Sequence, residues 1–136
     1  MIYITRRERF SAAHRLYNDN WDDHKNDDIY GLCANPLWHG HNYDLWVTVK
    51  GEVDPVLGYL CDLKQLSGII KENVILKLDH KNLNLEVEFL KDQIISTENL
   101  AIGIWNELLP HIIALGIELH SVRIHETENN FVEYFG

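Results

Sequence analysis

His39-Gly40-His41 is the part of this 136-residue sequence that speaks most directly of chemistry. On a β-strand, residues i and i+2 project to the same side, so the two imidazoles can converge on one ion. Gly40 between them lets another backbone or a ligand come close. A third histidine, His14, closes an earlier alternating segment. If the two segments pair antiparallel, His14 falls beside the start of the second. Three imidazoles with an open fourth position are the usual arrangement of catalytic zinc. The competing reading of each histidine is a buried ring satisfied by backbone.

Cys33 lies six residues before His39. It reads as a fourth metal ligand, as a catalytic thiolate favoured by a nearby cation, or as a small buried hydrophobe. Cys61, inside an apolar run, reads as core. Asp79-His80 offers a carboxylate that can orient an imidazole and support its charge, which suits a general acid/base. Glu126, at the end of Ile124-His-Glu, could accept two parallel N–H bonds from a guanidine-like ring edge. Its plainer reading is a surface acid. His24, His111, His120 and His125 read as surface or core residues.

These residues need elements to hold them. Residues 2–14 alternate as a strand, with Ile2, Ile4, Phe10, Ala12 and His14 on one parity. The polar stretch 18–28 has no period and reads as a long loop of the kind that is usually functional or disordered. A second strand runs from about His39 to Lys50, and Gly51–Gly58 is a turn. Asp62 is a candidate N-cap for a helix ending near Leu78, striped by Leu63, Leu66, Ile69, Ile70 and Val74. Residues 79–89 look irregular. A second helix starts at Ser96 or Thr97, with Glu98 favourable in its first turn. Pro110 should kink or end it, and Gly116 suits its C-terminal cap. Strands at about 118–126 and 130–135 close the chain. The order ββααββ predicts an α+β fold, an antiparallel four-stranded sheet with both helices on one face. The other face, carrying Trp46, is only partly polar and calls for a partner.

Size and charge narrow the field. The length suits one domain over residues 1–136, and 46% apolar with 24% charged residues is the composition of a folded soluble chain. No apolar run approaches the ~20 residues of a membrane span. The N-terminus lacks the apolar core of a signal peptide. Two cysteines build no disulfide framework, which points to a reduced, cytoplasmic protein. A net charge of −9 argues against a nucleic-acid binder. Arg6, Arg7, Arg9 and Arg15 crowd the first strand and its exit, as a solvated face or as a phosphate-binding rim.

Together these residues resemble the 6-pyruvoyl-tetrahydropterin synthase family, which includes the 6-carboxytetrahydropterin synthases of the queuosine pathway. The likeness spans essentially the whole chain. It rests on Phe10-Ser-Ala-Ala-His14, Cys33-Ala-Asn-Pro-Leu-Trp-His39-Gly-His41-Asn-Tyr43, Leu78-Asp79-His80-Lys-Asn-Leu-Asn84, Ser96-Thr97-Glu98-Asn99-Leu100 and Val122-Arg-Ile-His-Glu126-Thr. The resemblance implies that His14, His39 and His41 bind zinc and that Cys33 is the base. It implies that Asp79 and His80 assist proton transfer, that Glu126 anchors the pterin's amino-pyrimidinone edge, and that Thr97 and Glu98 line that pocket. It further implies the tunnelling fold, a homohexamer of two stacked trimers with sites between subunits. The implied substrate is 7,8-dihydroneopterin triphosphate, a small molecule, with no nucleic acid or membrane partner. Trp38 stands before His-Gly-His where the pyruvoyl-forming enzymes typically carry glycine. The five residues between Cys33 and His39 match the pyruvoyl-forming branch. The alternatives are the carboxy-forming reaction on the same substrate, with acetaldehyde also released, and a non-enzymatic zinc-binding oligomer with Cys33 as fourth ligand.

Overall fold

The computed structural model describes every residue from Met1 to Gly136. Its spine is a long hairpin-like ladder: β1 (Ile2–His14) pairs antiparallel with β2 (His39–Gly51) from Ile2 opposite Gly51 to His14 opposite His39. Because the side-chain period is two, this register sorts the residues by face. Phe10, Ala12, Tyr43, Leu45, Val47 and Val49 are buried on one side, whereas Tyr3, Thr5, Arg7 and Arg9 are exposed on the other. β4 (Glu118–His125) adds antiparallel to β2, and a register shift at Thr48/Val49 keeps Leu119, Val122 and Ile124 on the buried side. β5 (Phe131–Tyr134) extends the sheet from β4.

The sheet has five strands and is mixed, in the order β3-β1-β2-β4-β5, which corrects the four-stranded antiparallel expectation. The added strand, β3 (Lys81–Asn82), lies parallel to β1 at Ala12 and Ala13 within the segment read as irregular. Two ladder residues are too few to leave an alternation in sequence.

The helices form as their caps and stripes direct. Asp62 accepts from Lys64 N at 2.8 Å to start α2 (Leu63–Ile70), which continues through a π-helical turn at Lys71–Ile75 into α3 (Leu76–Leu78). Ser96 accepts from Asn99 N at 3.1 Å to start α4 (Thr97–Ala114). Leu66, Ile70 and Val74 join Leu100, Ile104 and Leu108 in one core against the buried sheet face. Pro110 does not end α4: Leu108 and Ile112, both fully buried on either side of it, hold the helix to Ala114 despite the missing N–H. Gly116, at φ +75°, donates to Ile113 O at 2.9 Å as the helix closes.

A third helical body corrects the loop expectation for 18–28. α1 (Asp23–Tyr30) is capped by Asp22 and runs into a 3-10 turn at Gly31–Ala34. It is polar nearly all round, so no apolar stripe announces it. Asn26, fully buried, anchors it by accepting from Asn18 N at 2.7 Å and donating to Asn18 O and Asp22 O. No helix of the chain is long and apolar enough to cross a membrane.

Candidate active site

The β1–β2 register sets His14 directly opposite His39, and the strand period puts His41 on the same face. The ring centroids lie 4.5 Å apart for His14 and His39, 4.9 Å for His39 and His41, and 5.2 Å for His14 and His41. Glu126, just past β4, shares the parity of Ile124 and meets the same cluster. One ligand atom from each of His14, His39, His41 and Glu126 falls within 4.8 Å of the other three.

The hydrogen bonding asks for a cation here. His14 Nδ1 is 2.8 Å from Ile95 O, and a carbonyl only accepts, so Nδ1 carries the proton and Nε2 presents a lone pair. That lone pair faces Glu126 Oε1 at 3.4 Å, acceptor against acceptor. Buried ring nitrogens His14 Nε2, His39 Nδ1 and His41 Nε2 have no hydrogen-bond partner. Glu126 Oε1 comes within 2.8 Å of His41 Nε2, but off the line of a ring N–H, so the contact is not a hydrogen bond. Orphaned nitrogens of this kind are costly unless an ion satisfies them. The residues therefore fit a divalent metal with imidazole ligands.

Burial holds the donors in the ligating form. Desolvation pushes the His14 and His41 imidazoles below their usual range, outweighing the Glu126 carboxylate that pulls both upward. Glu126 is itself oriented from one side, since Thr97 Oγ1 donates to its Oε2 at 2.9 Å. Tyr43 was not singled out by its type, yet it completes this wall. It continues the parity of His39 and His41, stacks on Phe10 at 4.9 Å, and buries a hydroxyl that has no partner. Burial pushes that phenol strongly upward, so it remains protonated.

The remaining expected residues lie elsewhere on the chain. Cys33 is half-buried in the 3-10 turn, where its carbonyl accepts from Leu16 N at 2.8 Å. It is not one of the four clustered ligand residues, so a closed three-histidine, one-cysteine site is not what the fold builds. Cys61 packs half-buried against the core. Asp79 sits on the edge of β1 away from β2, accepting from Ser11 N at 2.9 Å and facing His80 Nδ1 at 3.0 Å. The Ser11 N–H chiefly, with help from His80, holds the Asp79 carboxyl below the usual range. His80 is largely exposed, at φ +59°, over a depression of about 460 Å³ lined by Ser11, Ala13 and Asn42 and reaching Gly40 and His41 of β2. Glu98 is exposed and makes no hydrogen bond or ion pair with the cluster.

The arginines separate sharply. Arg6 pairs with Glu8, while Arg7 and Arg9 pair with Asp44 on the face opposite the histidines, each at 2.8 Å. Only Arg15, beside His14, opens into the broad cleft of about 1040 Å³ that also receives Tyr17 and Trp38. Trp38 has φ +69°, a left-handed conformation costing a non-glycine residue about 1–3 kcal/mol.

The 6-pyruvoyl tetrahydropterin synthase family model matches residues 3–136. A 6-pyruvoyl tetrahydrobiopterin synthase of Dictyostelium discoideum is 48% identical, covering 99% of this chain and 96% of that protein. A 6-carboxy-5,6,7,8-tetrahydropterin synthase of Rickettsia typhi is 31% identical, covering 98% and 99%. The solved 6-pyruvoyl tetrahydropterin synthase of Caenorhabditis elegans superposes with a TM-score of 0.93 at 37% identity, covering 99% of this chain and 95% of that one.

Proposed function

The chain belongs to the 6-pyruvoyl tetrahydropterin synthase family and is a lyase, and from that premise we propose the reaction and the roles of its residues. The substrate is 7,8-dihydroneopterin triphosphate, the product 6-pyruvoyl-tetrahydropterin, and triphosphate leaves as the side chain tautomerises. The observation that carries this reading is the cluster of His14, His39, His41 and Glu126 with its unpartnered ring nitrogens. His14, His39 and His41 hold zinc, which supplies Lewis acidity toward a side-chain oxygen when bound. Glu126, oriented by Thr97, accepts two N–H bonds from the amino-pyrimidinone edge, and Glu98 lines the same pocket. Cys33 removes a substrate proton, and Asp79 orients His80 to move another.

Asp79 and His80 stand on the far edge of β1 from β2. That separation supports active sites completed between copies of the chain, in a homohexamer built from two trimers. The open sheet face supports the same reading: Trp46 lies under Arg7 there with its buried indole N–H unpartnered. The higher identity to the pyruvoyl-named relatives than to the carboxy-named one favours the pyruvoyl product over the carboxy alternative. Incubating zinc-loaded protein with 7,8-dihydroneopterin triphosphate and weighing the product tests the assignment. A pyruvoyl pterin supports it; a carboxy pterin with acetaldehyde replaces it.

A further inference from the structure

Arg15 is the one arginine of the five with no carboxylate partner, and its guanidinium donates no hydrogen bond. It is nevertheless held in place. Asn84 clamps its backbone from both sides, accepting from Arg15 N and donating to Arg15 O at 3.0 Å each. Its guanidinium lies over the Tyr17 ring at 4.0 Å and over the Trp38 ring at 5.4 Å. Tyr17 is fixed in turn by donating to Asp23 at 2.6 Å. Stacking uses the faces of a guanidinium and leaves its in-plane N–H fork available for an anion. Trp38 takes a left-handed backbone to supply one of those rings.

We propose that Arg15, presented by Tyr17 and Trp38, is the binding site for the phosphate tail of the substrate. The inference rests on the pterin triphosphate reaction proposed above. Position agrees, because Arg15 and Trp38 adjoin His14 and His39 in the chain, and those two histidines face each other across the β1–β2 pairing at the mouth of the cleft that Arg15 and Trp38 line. The cleft's own charge sharpens the assignment. Asp19, Asp23, Glu86, Glu88 and Asp92 also line it against two cations, Arg15 and Lys91, and of these two only Arg15 is held on aromatic rings. Arg6, Arg7 and Arg9 are paired with Glu8 and Asp44 and lie outside this cleft.

The test titrates zinc-loaded wild type, Arg15→Gln, Arg15→Lys and Trp38→Gly with three ligands, and measures zinc content afterwards. The ligands are 7,8-dihydroneopterin triphosphate, 7,8-dihydroneopterin without phosphate, and inorganic pyrophosphate. Arg15→Gln should weaken both phosphorylated ligands by roughly 10–100-fold and leave dihydroneopterin within about twofold. Arg15→Lys, which keeps the charge and loses the fork, should recover part of that loss. Trp38→Gly should weaken the phosphorylated ligands several-fold with zinc retained. Equal weakening of all three ligands, or none, overturns the proposal. Arg15-dependent pyrophosphate binding by a protein that turns over no pterin triphosphate would leave the anion site standing and remove the reaction. Turnover with Arg15→Gln affinities unchanged would do the reverse.

Discussion

His14 donates from Nδ1 to the carbonyl of Ile95, 2.8 Å away across 81 positions of sequence. The bond ties the end of β1 to the residue before the α4 cap. Three consecutive residues then position the site: Ile95 orients His14, Ser96 caps the helix, and Thr97 orients Glu126. The histidine cluster and the carboxylate beside it are thus referenced to one helix N-terminus.

That arrangement makes the metal content a direct readout. His39→Ala or His41→Ala should lose zinc while the fold persists, since both rings project from a ladder whose backbone bonds remain. Metal analysis beside circular dichroism checks this. Stoichiometric zinc in either variant would remove that histidine from the ligand set.

Much of the site could be read in sequence because its geometry is local or periodic. His39 and His41 share a strand face by period alone, and an antiparallel pairing of two strands was enough to bring His14 to them. The Ser96 and Asp62 caps were likewise visible in residue type. What escaped depends on contacts between distant segments. Nothing in the composition of Lys81–Asn82 marks a strand, because its two residues are selected by the free edge of β1. α1 has no apolar stripe and is held by the buried amide of Asn26. The Ile95 carbonyl leaves no trace in sequence, since any residue could supply it.

Asn26 should therefore matter more than its polar surroundings suggest. Asn26→Ala leaves the Asn18 N–H without its acceptor, while Asn18 O and Asp22 O keep the backbone N–H groups of Trp21 and Asn26. Losing one such buried partner costs about 1–3 kcal/mol. The urea midpoint should fall accordingly, and amide exchange at Asn18 should accelerate. An unchanged midpoint would show that water replaces the side chain.

Acidification offers a second check on placement. The Ser11 N–H, with His80, depresses the Asp79 carboxyl in the folded chain, so the unfolded chain binds its proton first. The resulting stability is present above the unfolded carboxyl value of about 3.9 and is lost as pH falls through the lower folded value. Melting temperatures of wild type and Asp79→Asn should differ at pH 6, and the gap should close as pH falls from the unfolded carboxyl value through the lower folded one. A constant gap would assign the effect to the amide substitution and not to the charge.

The open sheet face predicts assembly. His125 stacks on Phe131 at 5.0 Å and Arg123 lies over Phe131 at 4.6 Å, beside Trp46 with its unpartnered indole N–H. Such a face favours burial against further copies. Light scattering at micromolar concentration should give several times the 15.9 kDa of one chain. A fully active monomer would refute the shared-site reading.

Cys33 and Glu126 should fail in different ways when altered. Cys33 lies outside the four-residue cluster, so Cys33→Ala should keep its zinc and still bind substrate. Removing a base that acts mainly in the transition state lowers kcat by roughly 10²–10⁴-fold with little change in KM. Glu126→Gln keeps an acceptor for Thr97 or for the pterin, but not for both pterin N–H groups, and turns a donor toward a donor. An unmatched buried contact costs about 1–3 kcal/mol, which weakens binding by roughly 5–150-fold. Glu126 Oε1 also stands 2.8 Å from His41 Nε2, so zinc content must be measured with the kinetics. Zinc retained with KM raised identifies Glu126 as the pterin anchor; zinc lost identifies it as a ligand. If Cys33→Ala instead loses metal in step with activity, the thiol reaches the ion in the assembled enzyme, and the base must be sought at His80.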